Sequence, residues 1–333
     1  MKPVLGISMG DPTGVGPEVL VRALVPFFSS PAIQALSEVV VFGDRNVLQR
    51  HAEAASVSLP GGLRIEAVTD LSSTESVPGR PNPAAAAAQV AYLEAACEAI
   101  EQKQVQALCT APISKDWAAR AGFSFPGHTE YLASRANVDE FAMMMAGPRL
   151  KTTVVTRHIA LRDVPDALSA EGIVNAIALT ALSLKEDFGF LAARVALAGL
   201  NPHAGDGGRF GDEETVLLLP ALRAARSRLA AMDIDATIEG PVAPDTVFNQ
   251  ALAGRFDAVI ALYHDQGLIP AKLLDFDRTV NVTLGLPFVR TSPDHGTAYD
   301  IAGKGLARSD SMLCALQLAA EMTARRQKNA RSA

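Results

Sequence analysis

Short apolar runs punctuate the chain, each ending abruptly in a polar or glycine-rich cluster, with longer stretches of helical spacing between them. Continuous apolar runs of this kind are the pattern of strands buried on both faces. Val4 to Met9 predicts the first strand; Gly10 to Glu18 then turns into a helix reaching about Val25, with Pro17 and Glu18 in its first turn. Glu38 to Gly43 predicts a strand, Arg45 to Ala55 a helix, and Leu63 to Ala67 a short edge strand. The rigid loop Pro78 to Pro83 leads into a strong helix, Ala84 to Gln102, capped by Asn82 or its neighbour. Val105 to Cys109 predicts a buried strand that opens onto Thr110 to Lys115.

The rhythm continues with different endings. Gly127-His128-Thr129-Glu130 opens a helix, and Met143 to Met145 and Thr152 to Thr156 predict strands, the latter ending at Arg157-His158. A helix from Ala170 to Phe188 leads to a strand, Arg194 to Leu200, and a further helix spans roughly Glu213 to Met232. Val259 to Tyr263 predicts a buried strand that stops in the polar cluster His264 to Gly267, and Val280 to Val289 reads as one apolar segment. The last helix runs from about Ser311 to Arg325, followed by a frayed tail. Alternation of strands and helices predicts an α/β fold with a largely parallel sheet and helices on both faces.

Composition narrows the class. At 333 residues the chain is long enough for two domains, and because 49% of its residues are hydrophobic but only 5% aromatic, its core is built from Ala, Val and Leu. A net charge of −6 argues against a general nucleic-acid binder, which needs a basic face for phosphates. Met1-Lys2-Pro3 leads straight into a strand, leaving no room for a signal segment, and no uninterrupted apolar stretch is long enough to cross a bilayer. Cys97, Cys109 and Cys314 lack metal-like pairing and read as buried thiols. These features predict a cytoplasmic protein with neither nucleic-acid nor membrane partners.

The candidate chemistry gathers at predicted strand ends, the usual position of a ligand crevice in α/β sheets. His158, His203 and His264 each sit just past one, and three converging imidazoles would hold a divalent cation while leaving positions open for substrate oxygen. The bland alternative is that each imidazole hydrogen-bonds a loop carbonyl. Lys115, Lys272 and Arg290 sit in motif-like loops and suggest an anionic substrate. There is no His-Glu-x-x-His, no P-loop and no complete Gly-x-Gly-x-x-Gly. Gly6-Ile7-Ser8-Met9-Gly10 matches a nucleophile elbow, but on the first strand no preceding loop can supply the oxyanion-hole amide. Its glycines fit a tight turn and close backbone approach instead.

Seven stretches then resemble one family: GDPTGVGPE (Gly10 to Glu18), TAPISK (Thr110 to Lys115), GHTEYLA (Gly127 to Ala133), NPHAGDGGRFGDEE (Asn201 to Glu214), GPVAPDT (Gly240 to Thr246), YHDQGL (Tyr263 to Leu268) and VNVTLGLPFVRTSPDHGTA (Val280 to Ala298). They resemble the 4-hydroxythreonine-4-phosphate dehydrogenase (PdxA) family, in the right order along almost the whole chain.

The resemblance implies NAD-dependent oxidation of the C3 hydroxyl of 4-phosphooxy-L-threonine, followed by decarboxylation to 3-amino-2-oxopropyl phosphate in pyridoxal 5'-phosphate biosynthesis. It implies two α/β/α domains like those of isocitrate and isopropylmalate dehydrogenases, with the active site in the interdomain cleft. By analogy these domains span about 1–130 plus 285–333, and 131–284, the second carrying the metal-ligand histidines and dimer contacts. The family's metal ligands fall on His158, His203 and His264, for one divalent ion (zinc, magnesium or cobalt). Its substrate contacts fall on His128, Thr129, Lys272, Asn281 and Arg290, and its NAD contacts on Asp294, His295 and Gly296. Asp245 and Lys115 are the candidates for catalytic proton transfer, and the choice between them stays open. The family is a homodimer whose site lies at the subunit interface, so His264 would complete the partner's metal site. Alternative substrates within the same fold are phosphorylated four-carbon sugar acids (D-threonate or D-erythronate 4-phosphate) and carboxylated cyclohexadiene diols. From another class, a metal-dependent hydrolase would use the same histidines to activate water.

Overall fold

A computed structural model describes residues 2–332; Met1 and Ala333, the ends of the expected first domain, lie outside the described residues. The chain forms two compact units, Met1–Val138 with Leu286–Ala333, and Asp139–Gly285. In chain order the first unit contributes β1 (Val4–Ser8), α1 (Gly16–Ser29), α2 (Pro31–Gln34), β2 (Glu38–Gly43), α3 (Arg45–Ala54) and β3 (Arg64–Ala67). It continues with α4 (Pro83–Glu101), β4 (Ala107–Thr110), α5 (Lys115–Arg120) and α6 (His128–Arg135). The second unit holds β5 (Ala142–Ala146), β6 (Lys151–Val154), α7 (Val164–Ala167), α8 (Ala170–Glu186), β7 (Ala193–Ala198) and α9 (Leu219–Ala231). It ends with β8 (Ala236–Val242), α10 (Val247–Leu252), β9 (Ala258–Ala261), α11 (His264–Asp275) and β10 (Val280–Leu284). The chain then returns to the first unit with β11 (Val289–Pro293) and α12 (Asp310–Ser332).

In the first unit the strands run β3-β2-β1-β4-β11, every pair parallel. Gly10 at φ 73 ends β1 in a turn so tight that a Cβ there would lie 2.4 Å from the Pro112 carbonyl oxygen, the close approach expected of this glycine. Helix α4 packs on β1, β2 and β4, and α12 on β4 and β11. Asn82 caps α4, its side chain accepting from the Ala85 amide at 3.0 Å.

In the second unit the order is β10-β5-β6-β9-β7-β8, with β5 antiparallel to both neighbours and the remaining pairs parallel. Side chains alternate across this sheet as strand geometry requires. Val195, Leu197, Ala258 and Ile260 join the core beneath α8 and α9, whereas Ala196, Ala198 and Val259 face the core that includes Val247 and Ala251 of α10. Helix α11 covers the latter face too, through Leu268 and Ala271 against Met143, Met145 and Ala261. Both units are thus sheets flanked by helices, the α/β class the sequence implies.

Several local expectations are corrected. The apolar segment Val280 to Val289 is two strands, interrupted at Gly285, whose φ of 91 puts it in the left-handed region. The polar cluster His264 to Gly267 forms the first turn of α11, so Lys272 stands on a helix and not in a loop. Lys115 opens α5 and Arg290 lies within β11, so none of the three cations sits in a loop. The final helix does not fray after Arg325 but continues to Ser332, and Cys314 is only partly buried whereas Cys97 and Cys109 are fully so. Among the described residues no single helix is long and apolar enough to cross a membrane.

Candidate active site

The first unit builds an anion cradle where β4 ends. Register sets it: Arg290 on β11 pairs with Leu108 on β4, so its side chain reaches the end of β4, and its Nη2 donates to Thr110 Oγ1 at 2.8 Å. Its Nη1 donates to Thr129 Oγ1 at 3.5 Å, in the first turn of α6. Arg290 is only 3% exposed. Burial pulls its pKa down to about 10, which leaves the guanidinium charged at neutral pH. Both hydroxyls are neutral partners, and the Glu130 carboxylate of α6 favours the charged guanidinium from nearby.

His128 opens α6. Burial, reinforced by the nearby charges of Arg290 and Lys115, holds its pKa well below the ordinary imidazole value, so the ring is neutral at pH 7. Its Nε2 is buried and has no hydrogen-bond partner among the described residues. Lys115 lies alongside: a Cβ added at Gly127 would sit 3.8 Å from its Nζ. A buried guanidinium, an ammonium, a neutral imidazole and the amino end of α6 together suit a phosphate or carboxylate.

The segment after β11 rests on the glycine loop after β1. The Val15 amide donates to the Thr297 carbonyl at 2.9 Å, and Tyr299 donates its hydroxyl proton to the buried Asp11 carboxylate. This seats Asp294, His295 and Gly296 in a defined loop: the Asp294 amide donates to Ser311 Oγ at 3.0 Å, and His295 Nδ1 lies 3.1 Å from the Gly296 carbonyl oxygen. Gly296 has open space around its Cα. Ser8, the elbow serine, is fully buried within β1, where no substrate carbonyl can reach it.

In the second unit three neighbouring strands, β6-β9-β7, end side by side. Val154 on β6 pairs with Ala261 on β9, and the pairing continues as the Thr156 amide donates to the Leu262 carbonyl at 3.1 Å. His158 and His264 therefore leave the sheet together, their ring centroids 5.5 Å apart. That spacing suits two imidazoles on one ion with metal–nitrogen bonds of about 2 Å. Asp265 Oδ1 lies 2.7 Å from His264 Nδ1, a contact that fixes the ring and leaves Nε2 for a ligand. The two rings line a cavity of about 350 Å³ with Arg157, Tyr263, Asp265 and three aliphatic side chains.

His203 does not join them. Among the described residues no three His, Cys, Asp or Glu side chains stand close enough to hold a metal. His203 is exposed in a left-handed turn after β7 in which His203, Ala204 and Asp206 have φ of 54, 54 and 44. Such backbone costs on the order of 1–3 kcal/mol per residue and persists only where its surroundings enforce it. Glu214 supplies the enforcement: its Oε1 accepts from the Leu200 and Asn201 amides, each at 2.8 Å, and its Oε2 from Asn201 Nδ2 at 3.0 Å. Burial opposes the charge of Glu214, yet these hydrogen bonds outweigh it and hold its pKa below the ordinary carboxylate value.

The remaining expected residues are spread over the second unit. Lys272 is half-buried, about 12 Å along the axis of α11 from His264 at 1.5 Å per residue. Asn281 on β10 pairs with Met145, and its buried Oδ1 has no hydrogen-bond partner among the described residues. Asp245 is exposed in the turn between β8 and α10. Sequence reasoning assigned no role to Thr110, Asp265 or Glu214, although all three lie inside the quoted motifs.

Sheets flanked by helices, with a buried cation and paired imidazoles at strand ends, are the arrangement of an enzyme acting on small anionic molecules. The chain belongs to the pyridoxal phosphate biosynthetic protein PdxA family, whose model matches residues 35–319. It is 44% identical over 337 aligned positions, covering 97% of each chain, to a 4-hydroxythreonine-4-phosphate dehydrogenase of Desulfosudis oleivorans. The solved structure of the enzyme of that name from Klebsiella pneumoniae superposes with a TM-score of 0.82 at 36% identity, covering 97% of this chain and all of that one (100%). A more distant likeness is a terephthalate 1,2-cis-dihydrodiol dehydrogenase from Burkholderia xenovorans, with a TM-score of 0.66, 28% identity and coverage of 96% and 98%.

Proposed function

We propose that this chain is an NAD-dependent, divalent-metal-dependent oxidoreductase that oxidises the C3 hydroxyl of 4-phosphooxy-L-threonine. The β-keto acid formed loses carbon dioxide to give 3-amino-2-oxopropyl phosphate, a precursor of pyridoxal 5'-phosphate. The observation that carries the reading is the buried, charged Arg290 with His128 and Lys115 around it, an anion cradle in a chain whose full-length relatives are named for this substrate.

The first unit contributes the cradle. Arg290, Thr129 and His128 hold the anionic end of the substrate, and binding gives His128 Nε2 its missing partner. Asp294, His295 and Gly296 receive the nucleotide, with Gly296 free of side-chain bulk. The second unit contributes His158 and His264 as ligands of one divalent ion, with His203, which stands apart from them in one chain, as the third once the dimer has formed, and Lys272 and Asn281 to orient the reacting carbon. When bound, NAD supplies the hydride acceptor and zinc, magnesium or cobalt a Lewis acid. Asp245 and Lys115 are the candidates for proton transfer at the C3 hydroxyl, and Lys115 stands beside His128 in the cradle.

The protein works as a cytoplasmic homodimer. On α11 the exposed Ile269, Leu273 and Phe276 recur at helical spacing, 63%, 83% and 67% exposed, an apolar stripe that a second copy would cover. His264 heads the same helix, so dimerisation through α11 would bring donors of the partner near the His158–His264 pair, which has no third ligand beside it among the described residues of one chain.

The test is NADH formation from purified protein, NAD and 4-phosphooxy-L-threonine, before and after chelation. Turnover that chelation abolishes and single ions restore is the expected result. Turnover only with D-erythronate or D-threonate 4-phosphate would move the chain to a sugar-acid enzyme, and substrate cleavage without NADH would replace the oxidoreductase reading with a hydrolase.

A further inference from the structure

A second cavity, of about 620 Å³, opens in the first unit away from the anion cradle. It lies just before β4 and β11, beside Val105 and Phe288, and is walled by the last turns of α4 and α6 and by the second half of α12. Its floor is apolar and deeply buried: Cys97 and Val105 are each 3% exposed and Leu132 is fully buried. A void of this size is far above the ~150 Å³ of an engineered packing defect and falls within the roughly 300–1,000 Å³ of ligand pockets.

The rim carries the charge. Lys103, Arg135 and Arg326 line it against a single acid, Glu101, whose Oε1 lies 2.7 Å from Arg135 Nη2. Arg326 Nη1 donates to the Leu286 carbonyl at 3.3 Å, which holds the guanidinium at the mouth. The last carbonyls of α4 and α6 are already engaged: those of Ala99 and Ile100 accept from Gln104, Val105 and Lys103, and those of Ala133 and Ser134 from Val138 and Asn137. The helix ends therefore present few free acceptors, and the polar character of the mouth is cationic. The thiol on the floor is a packing group, since burial pushes the Cys97 pKa up to about 12.

We propose that this cavity is a second ligand site, separate from the active site, which takes a small amphipathic molecule with an apolar ring or chain and one anionic head. The apolar body sits on Val105, Leu132 and Phe288, and the head lies against Arg326 and Arg135. Helix α6 connects the site to the cradle, since its first residue is His128 and its last turn lines the cavity.

The test uses the full chain and two fluorescent probes that differ in charge, the anionic 8-anilinonaphthalene-1-sulfonate and the neutral N-phenyl-1-naphthylamine. One saturable site per chain is expected for the anion, displaced by decanoate, with the neutral probe at least tenfold weaker. Arg326→Ala should weaken the anion at least tenfold, and Gln327→Trp, which fills the cavity from α12, should abolish binding. Circular dichroism and turnover should match the parent in both variants. Anion binding unaltered by both variants, no saturable binding, or equal affinity for the neutral probe would each overturn the proposal. Should Gln327→Trp fail to fold, Ala136→Trp fills the same cavity from the end of α6.

Discussion

The two units solve the problem of holding polar chemistry in different ways. In the first, the site groups are sunk into the fold: Arg290 is 3% exposed, Thr110 is fully buried and His128 is held neutral by its surroundings. In the second, His158 and His203 stand exposed past strand ends, and the strain there is carried by backbone that Glu214 pins from below. A buried cation binds its anion strongly because water no longer competes, and the fold must bear the cost of its desolvation beforehand. Exposed imidazoles cost little until an ion arrives, and their donor set is completed only then. The first unit thus holds its cation in advance, whereas the proposed metal ligands of the second stand apart until an ion gathers them.

The largest expected effect breaks the second unit's half of this comparison. Replacing His203 or His264 by Ala should lower metal-dependent NADH formation by at least about 1,000-fold, as loss of a ligand removes the Lewis acid altogether. Melting temperature should barely move, because both side chains lie at strand ends outside the core. Full activity in His203→Ala would remove that residue from the ligand set.

A smaller effect is expected in the first unit. Arg290→Met should raise KM for the phosphorylated substrate about 100-fold, from loss of a charge-assisted hydrogen bond of about 2–3 kcal/mol, with a much smaller change in kcat. A drop in kcat at unchanged KM would show that Arg290 does not anchor the substrate.

Acid gives the mildest separation of the units. His128 and the buried His51, whose pKa burial lowers to about 4, both belong to the first unit and both ionise more readily when unfolded. Their folded pKa values are depressed, so their stabilising contribution is complete above pH 6.5 and fades as pH falls towards 4. For His51 alone this amounts to about 3 kcal/mol at most, at 1.36 kcal/mol per pKa unit. The single tryptophan, Trp117, reports on this unit, so its fluorescence midpoint in urea should fall between pH 6.5 and 4. A His51→Leu variant should flatten that dependence; an unchanged slope would place the acid sensitivity elsewhere.

Much of this was legible before any coordinates. Strands β1, β2, β4, β7 and β9 follow from apolar runs closed by glycine or polar clusters, and the capped helix α4 from Asn82 and its alanines. Local signals failed where two patterns overlap. His264 to Gly267 looks like a loop because its residues are polar, yet Gln266 is buried: it accepts from the Leu262 amide at 2.6 Å and donates to the Gly199 carbonyl at 2.8 Å. The Gly199 carbonyl lies just past the end of β7, far along the chain, so the local pattern alone does not mark the helix start. Likewise the apolar run from Val280 obscures its interruption, which only Gly285 and Pro287 mark among apolar residues.

Sequence alone determined the alternation of strands and helices, the presence of imidazoles at strand ends and the family, because period, capping and motif order are local properties. The tertiary structure decided which of those groups meet. Arg290 reaches Thr110 because β11 runs parallel to β4 in one register, and His158 meets His264 because β6 and β9 do the same. A shift of one residue in either pairing would turn those side chains to the opposite face of the sheet. That register is set by packing over the whole sheet, which no single stretch of the chain contains.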